Sequence, residues 1–266
     1  MIKDITLGQY FPGESVIHRI DPRVKIILTL AYIVMLFVAK GPIGYGICLA
    51  ALIYMIAVSK ISLRIILRSM KPLLFIIVFT AILNMFYIPG RILVEFWILR
   101  ITYEGIETAI YMALRIAMLI SGTFVLLTYT TSPIMLTDGI EHLLNPLKKL
   151  KFPVHELAMM MTIALRFIPT LIEETDKIMS AQKARGADFE SGNLINRARA
   201  LVPILVPLFI SAFRRADELA VAMECRCYRG SVGRTRLKVL KMQPLDYIAI
   251  CVSLVLCVSI ILSAVM

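Results

Sequence analysis

The chain has 266 residues, 59% of them apolar, and a mean hydropathy of +0.82; a soluble domain is about 45–50% apolar, so a water-soluble globular fold is excluded. Twenty-nine Lys and Arg stand against eighteen Asp and Glu. In so apolar a chain this excess reads as the basic bias of cytoplasmic loops rather than as a nucleic-acid surface. The residues up to Arg23 are polar and carry Asp21-Pro22-Arg23 where a secretory signal needs an apolar core. Asp21-Pro22 reads as a helix cap followed by the first helical residue. Apolar runs then extend over Val24 to Ala39 and Ile43 to Val58, separated by Lys40-Gly41-Pro42. From Ile61 to Met70 the pattern changes: Ile61, Ile65, Ile66 and Met70 share a face opposite Lys60, Arg64 and Arg68, as in an interfacial elbow helix. A third span covers Pro72 to Ile88 and a polar outer loop follows, holding Arg91, Glu95, Arg100, Glu104 and Glu107. The fourth span is Thr108 to Tyr129 and the last is Tyr247 to Met266. Several runs fall short of the ~20 residues a bilayer core requires, so flanking residues or local thinning make up the difference.

Basic residues orient these spans. Lys3, Arg19, Arg23 and Lys25 precede or open the first, Lys60 to Lys71 form a second basic group, and most of the remainder lie between Lys148 and Lys241. The alternation puts the N-terminal arm inside and, after five spans, the C-terminus outside.

The segment from Ser132 to Pro244 is charged and helical in pattern. Asn145-Pro146 and Phe152-Pro153 interrupt it, after which one long helix is predicted from Val154 to Arg185, with Pro169 inside it and Gly186 as its left-handed C-cap. A second runs from Leu194 to about Tyr228 and contains Pro203 and Pro207. The run Leu201 to Phe213 is only thirteen residues long, with two prolines and Arg214-Arg215 beside it, so both helices are expected along the inner membrane surface rather than across it. The expected fold is therefore all-α and polytopic: an arm and four spans over 1–131, a cytoplasmic coupling domain of long helices over 132–243, and a fifth span over 244–266.

The two long helices end alike, in Ala184-Arg185-Gly186 and Cys225-Arg226-Cys227. Each arginine follows an aspartate by nine positions (Asp176, Asp217) and an alanine by four (Ala181, Ala222). Arginine at a helix C-terminus is favoured by the macrodipole alone, by about 0.3–1 kcal/mol, but capping does not require the same aspartate offset twice. Arginine also suits bidentate carboxylate recognition, and Lys183, Arg229, Arg234 and Arg236 would steer an acidic partner. Met159, Met160 and Met161 fill a core or form an adaptable docking surface. Arg115 lies within the fourth span, where a charge either marks function or snorkels to the outer interface.

Five cysteines show no ligand spacing: Cys225 and Cys227 are two apart on a helix and point to different sides, and no metal site is expected. A phosphate-binding loop and the common hydrolase signatures are also absent from the sequence. Neither catalysis nor a bound cofactor is expected of this chain. A self-contained secondary transporter or channel is the alternative, and it would want ionisable residues clustered at mid-membrane. A lipid-acting enzyme would use acids and histidines at the inner face, where His142 with Asp138 and Glu141 is the nearest approach.

With these residues in view the chain resembles the transmembrane T component (EcfT/CbiQ family) of energy-coupling factor transporters, ABC-type importers of vitamins and metal ions. His18-Arg19-Ile20-Asp21-Pro22-Arg23-x-Lys25 is similar to that family's Leu-Asp-Pro-Arg-x-Lys stretch. Residues 182–186 and 222–227 resemble its two Ala-Arg-Gly-type signatures; the second departs by flanking the arginine with cysteines. The resemblance implies a plasma-membrane scaffold joining two cytoplasmic ABC-type ATPases, which bind ATP and Mg, to a separate substrate-binding membrane S component. It also implies that Arg185 and Arg226 end coupling helices seated in grooves of the ATPases, with Met159 to Met161 where the S component docks.

Overall fold

The computed structural model describes residues 10–96, 99–187, 189, 193–230 and 240–265. The chain divides into two compact units. One comprises residues 8–139 with 240–266, the other 140–239 with 1–7.

In the first unit a four-residue helix, α1 (Val16–Arg19), leads to α2 (Pro22–Val38). Asp21 caps α2 by accepting the Arg23 N–H at 2.9 Å, and Pro22 occupies the first turn. Then come α3 (Gly41–Ser59) and α4 (Leu63–Met70). On α4, Ile66 is buried, Ile65 and Met70 are half-buried, and Arg64 and Arg68 are exposed. The elbow helix does not stand apart from the third span: Pro72 sits in a single 3₁₀ turn (Lys71–Leu73) that joins α4 to α5 (Leu74–Tyr87), giving a helical run from Leu63 to Tyr87. A tight turn tolerates the proline, whose missing N–H would break a regular helix.

The loop that follows is not wholly irregular. Ile92–Phe96 (β1) and Leu99–Thr102 (β2) pair antiparallel, Glu95 opposite Arg100 in the register. Charges in this stretch mask the β-branched residues Ile92, Val94, Ile101 and Thr102, which favour a strand. Thr102 then caps α6 (Tyr103–Thr123): its Oγ1 accepts the Gly105 N–H at 3.1 Å and donates to the Ile88 carbonyl at 2.7 Å. α6 therefore begins five residues before the apolar run at Thr108, and one π-helical turn, Phe124–Thr128, extends it.

The core of this unit is built by α2, α3, α6 and α10 (Pro244–Val265), through Tyr32, Leu36, Cys48, Met118, Leu126 and Ile260. Tyr32 donates its hydroxyl proton to the Met118 carbonyl at 3.0 Å. α6 approaches so closely here that a Cβ at Gly122 would run into the Tyr32 ring, the small-residue packing expected where helices meet in lipid. Outward-facing Leu30, Val34, Phe75, Leu254 and Val255 are more than half exposed or nearly so, a surface suited to acyl chains rather than water.

α7 (Pro133–Leu143) crosses from the first unit into the second, and a 3₁₀ segment (Asn145–Leu150) follows. The second unit is dominated by α8 (Val154–Ala184) and α9 (Leu194–Cys225), both carrying their prolines within the helix. Among the described residues, five helical runs are long and apolar enough to cross a membrane: Gly41–Ser59, Leu63–Tyr87, Tyr103–Thr128, Val154–Ala184 and Pro244–Ala264. The protein is thus an all-α polytopic membrane protein with one short hairpin. The set differs by one from the apolar runs of the sequence. α2 is held to 17 residues between the Asp21 cap and Ala39, about 25 Å at 1.5 Å per residue. α8 qualifies through its sparsely charged first half.

Candidate functional site at two arginine-capped helix ends

Both long helices of the second unit close with the same backbone device. At the end of α8, Arg185 is the C-cap residue and Gly186 has φ +87°. The Gly186 N–H donates to the Lys183 carbonyl at 3.0 Å and the Ala187 N–H to the Gln182 carbonyl at 3.0 Å. At the end of α9, Arg226 is the C-cap and Cys227 has φ +57°. There the Cys227 N–H donates to the Glu224 carbonyl at 2.8 Å and the Tyr228 N–H to the Met223 carbonyl at 3.1 Å. These paired bonds, from the first and second residues beyond the cap, define a Schellman motif. The second tripeptide differs from the first in sequence but not in construction: Cys227 occupies the left-handed position that Gly186 fills on α8.

Arg185 and Arg226 are both exposed, as are Ala184, Gly186, Cys225 and Cys227. Among the described residues no hydrogen bond or ion pair engages either guanidinium. The aspartates nine residues upstream do not fill that gap. Nine residues are two and a half turns, about 13 Å, which puts Asp176 and Asp217 on the opposite helix face from their arginines. Lys183 and Arg229 are exposed beside the motifs; Arg234 and Arg236 lie outside the described residues.

The pairing of α8 with α9 sets where the two ends point. Glu174 accepts from Arg215 Nη2 at 3.0 Å, and the Gln182 side chain donates to the Pro203 carbonyl at 3.5 Å. Later positions of α8 meet earlier positions of α9, so the helices are antiparallel where they touch. Arg185 lies just past Gln182, whereas Arg226 is on the order of 35 Å further along α9 from Pro203. The tripeptides are therefore two separate prongs rather than one cluster.

Met160 and Met161 are each 54% exposed and Met159 is half-buried. They lie in the first turns of α8, on the order of 36 Å along the helix from Arg185. On α9, Phe209, Ile210 and Phe213 are also strongly exposed. His142 and Asp138 do not form a three-ligand metal group with Glu141, and none exists among the described residues. Glu141 is instead paired with His155 Nδ1 at 3.0 Å.

Arg115 is stacked against two aromatic rings, with its guanidinium carbon 5.7 Å from the Phe37 centroid and 5.5 Å from the Tyr45 centroid. Phe37 ends α2 and Tyr45 begins α3, so the cation sits at the level of the turn between them. Such cation–π contacts stabilise a charge by about 0.5–2 kcal/mol.

The sequence did not reveal the polar junction at the start of α2. Lys25 is 1% exposed, donating to the Thr130 carbonyl at 2.8 Å and to Thr131 Oγ1 at 3.1 Å. Asp246, fully buried at the start of α10, accepts the Asp21 N–H at 2.8 Å and the Gln243 N–H at 2.7 Å. Arg23 donates to the Leu240 carbonyl at 3.1 Å and lies 3.7 Å from Asp21. Two cations and two carboxylates thus lock α2, α10 and the end of α6 together. The available signal was a lone acid, Asp246, at the entrance of an otherwise apolar run.

Comparison with known proteins adds a consistent set of relatives. The model of a family described as cobalt transport protein, CbiQ, matches residues 13–237. A protein of Thermosediminibacter oceani named energy-coupling factor transporter transmembrane protein EcfT is 58% identical over 262 residues, 98% of each chain. Its namesake in Clostridium kluyveri is 58% identical over 264 residues, 98% of this chain and 97% of that one. The Lactococcus lactis subsp. cremoris protein of the same name is 43% identical over 262 residues, again 98% of each chain.

Proposed function

Since the chain belongs to the family of energy-coupling factor transporter transmembrane proteins, we propose that it couples two cytoplasmic ATPases to a substrate-binding membrane protein, transmitting ATP-driven movement to it for vitamin or metal-ion uptake. ATP and Mg would be bound by the ATPases, and the vitamin or metal ion by the other membrane subunit. The observation that carries this reading is the pair of helix ends: two exposed arginines on identical caps, tens of ångströms apart, match two copies of a partner surface. Each guanidinium would enter an acidic groove on one ATPase, with Ala184 and Gly186, or Cys225 and Cys227, as the close-fitting neighbours. Exposed Lys183 and Arg229 would speed the encounter without setting its register.

Rigid helices suit this task because they carry a displacement along their length. Glu173, Glu174, Asp176, Lys177 and Lys183 crowd the second half of α8, a composition that favours a course outside the hydrocarbon core. The same basic bias puts the N-terminus and the arginine motifs in the cytosol and the C-terminus outside the cell membrane. Met159 to Met161, with the exposed apolar face of α9, would receive the substrate-binding subunit. A self-contained transporter would need ionisable groups exposed to a mid-membrane path, and Arg115 is instead held between two rings.

The test is co-purification. Charge reversal at both prongs (Arg185→Glu with Arg226→Glu) should release the ATPases while the membrane subunits remain associated. Undiminished ATPase recovery with the double variant would refute the reading.

A further inference from the structure

The membrane unit contains a partly open cavity of about 200 Å³ bounded by α1, α2, α3 and α10. Its shape is set by stripes at helical spacing. α3 contributes Cys48, Ala51, Met55 and Val58, recurring every three or four residues and therefore on one face. Along α10 the lining runs from Leu245 to Ile260, about 22 Å of helix. The cavity is thus a narrow trench, and its volume spread over such a length accommodates a chain rather than a compact solute. Ile248 and Tyr54 line it yet are 63% and 65% exposed, so it opens sideways between α10 and α3.

Its chemistry is one-sided. Apart from Ser253 and the tyrosine hydroxyls, the lining offers hydrocarbon and sulfur, and an apolar cavity of this kind does not hold water. A vitamin or ion would find no partners there. Among the described residues, exposed cations gather around one end. Ile17 and Ile20 flank exposed Arg19, Val58 lies two residues before exposed Lys60, and Leu245 follows exposed Lys241 by four. The exposed carboxylate of Glu14 on the same arm leaves a net positive rim. At the other end, around Met35 and Ile260, the lining is apolar.

We infer that the trench holds one acyl chain of an anionic phospholipid, taken laterally from the bilayer, with its headgroup phosphate among Arg19, Lys60 and Lys241. An elongated apolar slot with a group of cations around one end matches an amphiphile whose tail and charge are arranged the same way. The bound lipid would cover the side of the trench where Tyr54 of α3 and Ile248 of α10 stand exposed.

The experiment uses the complete transporter complex, purified in mild detergent and reconstituted into nanodiscs of phosphatidylglycerol mixed with phosphatidylcholine. Native mass spectrometry after stepwise delipidation counts the lipid retained. One tightly held lipid is expected, enriched in phosphatidylglycerol. Arg19→Gln with Lys60→Gln, both on the surface, should lower that enrichment by about fivefold per lost cation while a lipid is still retained. Ala249→Phe, which projects a ring into the trench, should abolish retention, with its thermal unfolding confirming a folded unit. Equal retention of phosphatidylcholine, an unchanged preference in the double glutamine variant, or undiminished lipid with Ala249→Phe would each overturn the inference. So would lipid bound by the isolated chain but absent from the complete complex, because the trench would then belong to a partner helix.

Discussion

The buried charges at the start of α2 and the exposed arginines at the ends of α8 and α9 put the same chemistry to opposite uses. Lys25 and Asp246 are withdrawn from solvent and each finds two or more hydrogen-bond partners. Arg185 and Arg226 are held out on rigid helix ends with their donors unengaged among the described residues. Satisfied burial fixes the fold of one unit, and unsatisfied exposure leaves the other ready for a partner. The contrast is measurable, because stability should respond at the first site and association at the second.

The largest effect is expected at the junction. Replacing Lys25 by methionine strips the Thr130 carbonyl and the Thr131 hydroxyl of their buried cationic donor, and each hydrogen bond to a charged group is worth about 1.5–3 kcal/mol. Thermal unfolding in detergent should show a pronounced loss of stability. A change no larger than that of a surface lysine would mean that Lys25 is not what fastens α2 to the end of α6. The prongs should behave in the reverse sense. Arg185→Ala or Arg226→Ala should weaken ATPase capture by about 2–5 kcal/mol if each enters a buried charge pair, while unfolding of the chain alone stays unchanged. A stability loss at either arginine would erase the distinction between the two sites.

Sequence and structure agree where a local signal exists. Pro153 and Gly186 bracket α8, and its bounds follow from those residues: Val154 to Ala184 in the structure against Val154 to Arg185 from the pattern. The π turn after Thr123 and the early start of α6 at Tyr103 are less legible, because Glu104 and Glu107 disguise the first helical turns as loop. Asp21 and Asp246 are 225 positions apart, and no periodicity announces the hydrogen bond between them. The arginine motifs were visible as tripeptides, yet their shared cap was not: a cysteine in left-handed conformation is a statement about backbone, which composition does not carry.

That shared cap predicts a pair of smaller effects with opposite signs. Gly186→Ala puts a Cβ where φ is +87° and no neighbouring atom lies within 4 Å, so only conformational strain acts and the cost should be about 1 kcal/mol. Cys227→Gly relieves the same strain at φ +57° and should stabilise the end of α9 by a comparable amount. Hydrogen exchange of the last turns of α8 and α9 would register both changes. Equal and opposite shifts would establish the two ends as one design with different residues in it, whereas a destabilising Cys227→Gly would give the cysteine side chain a packing role.

The smallest effect concerns the tie between α8 and α9. Glu174 and Arg215 form a 3.0 Å ion pair with side chains 28% and 33% exposed. Partly solvated pairs are worth about 0.2–1 kcal/mol, so a double-mutant cycle with Glu174→Gln and Arg215→Gln should return a coupling in that range. Such a weak tie suits helices that must move relative to each other, since a strong one would resist each cycle of ATPase closing. Coupling well above that range, with transport lost in both single variants, would instead make the helix pair a rigid unit that moves as a whole.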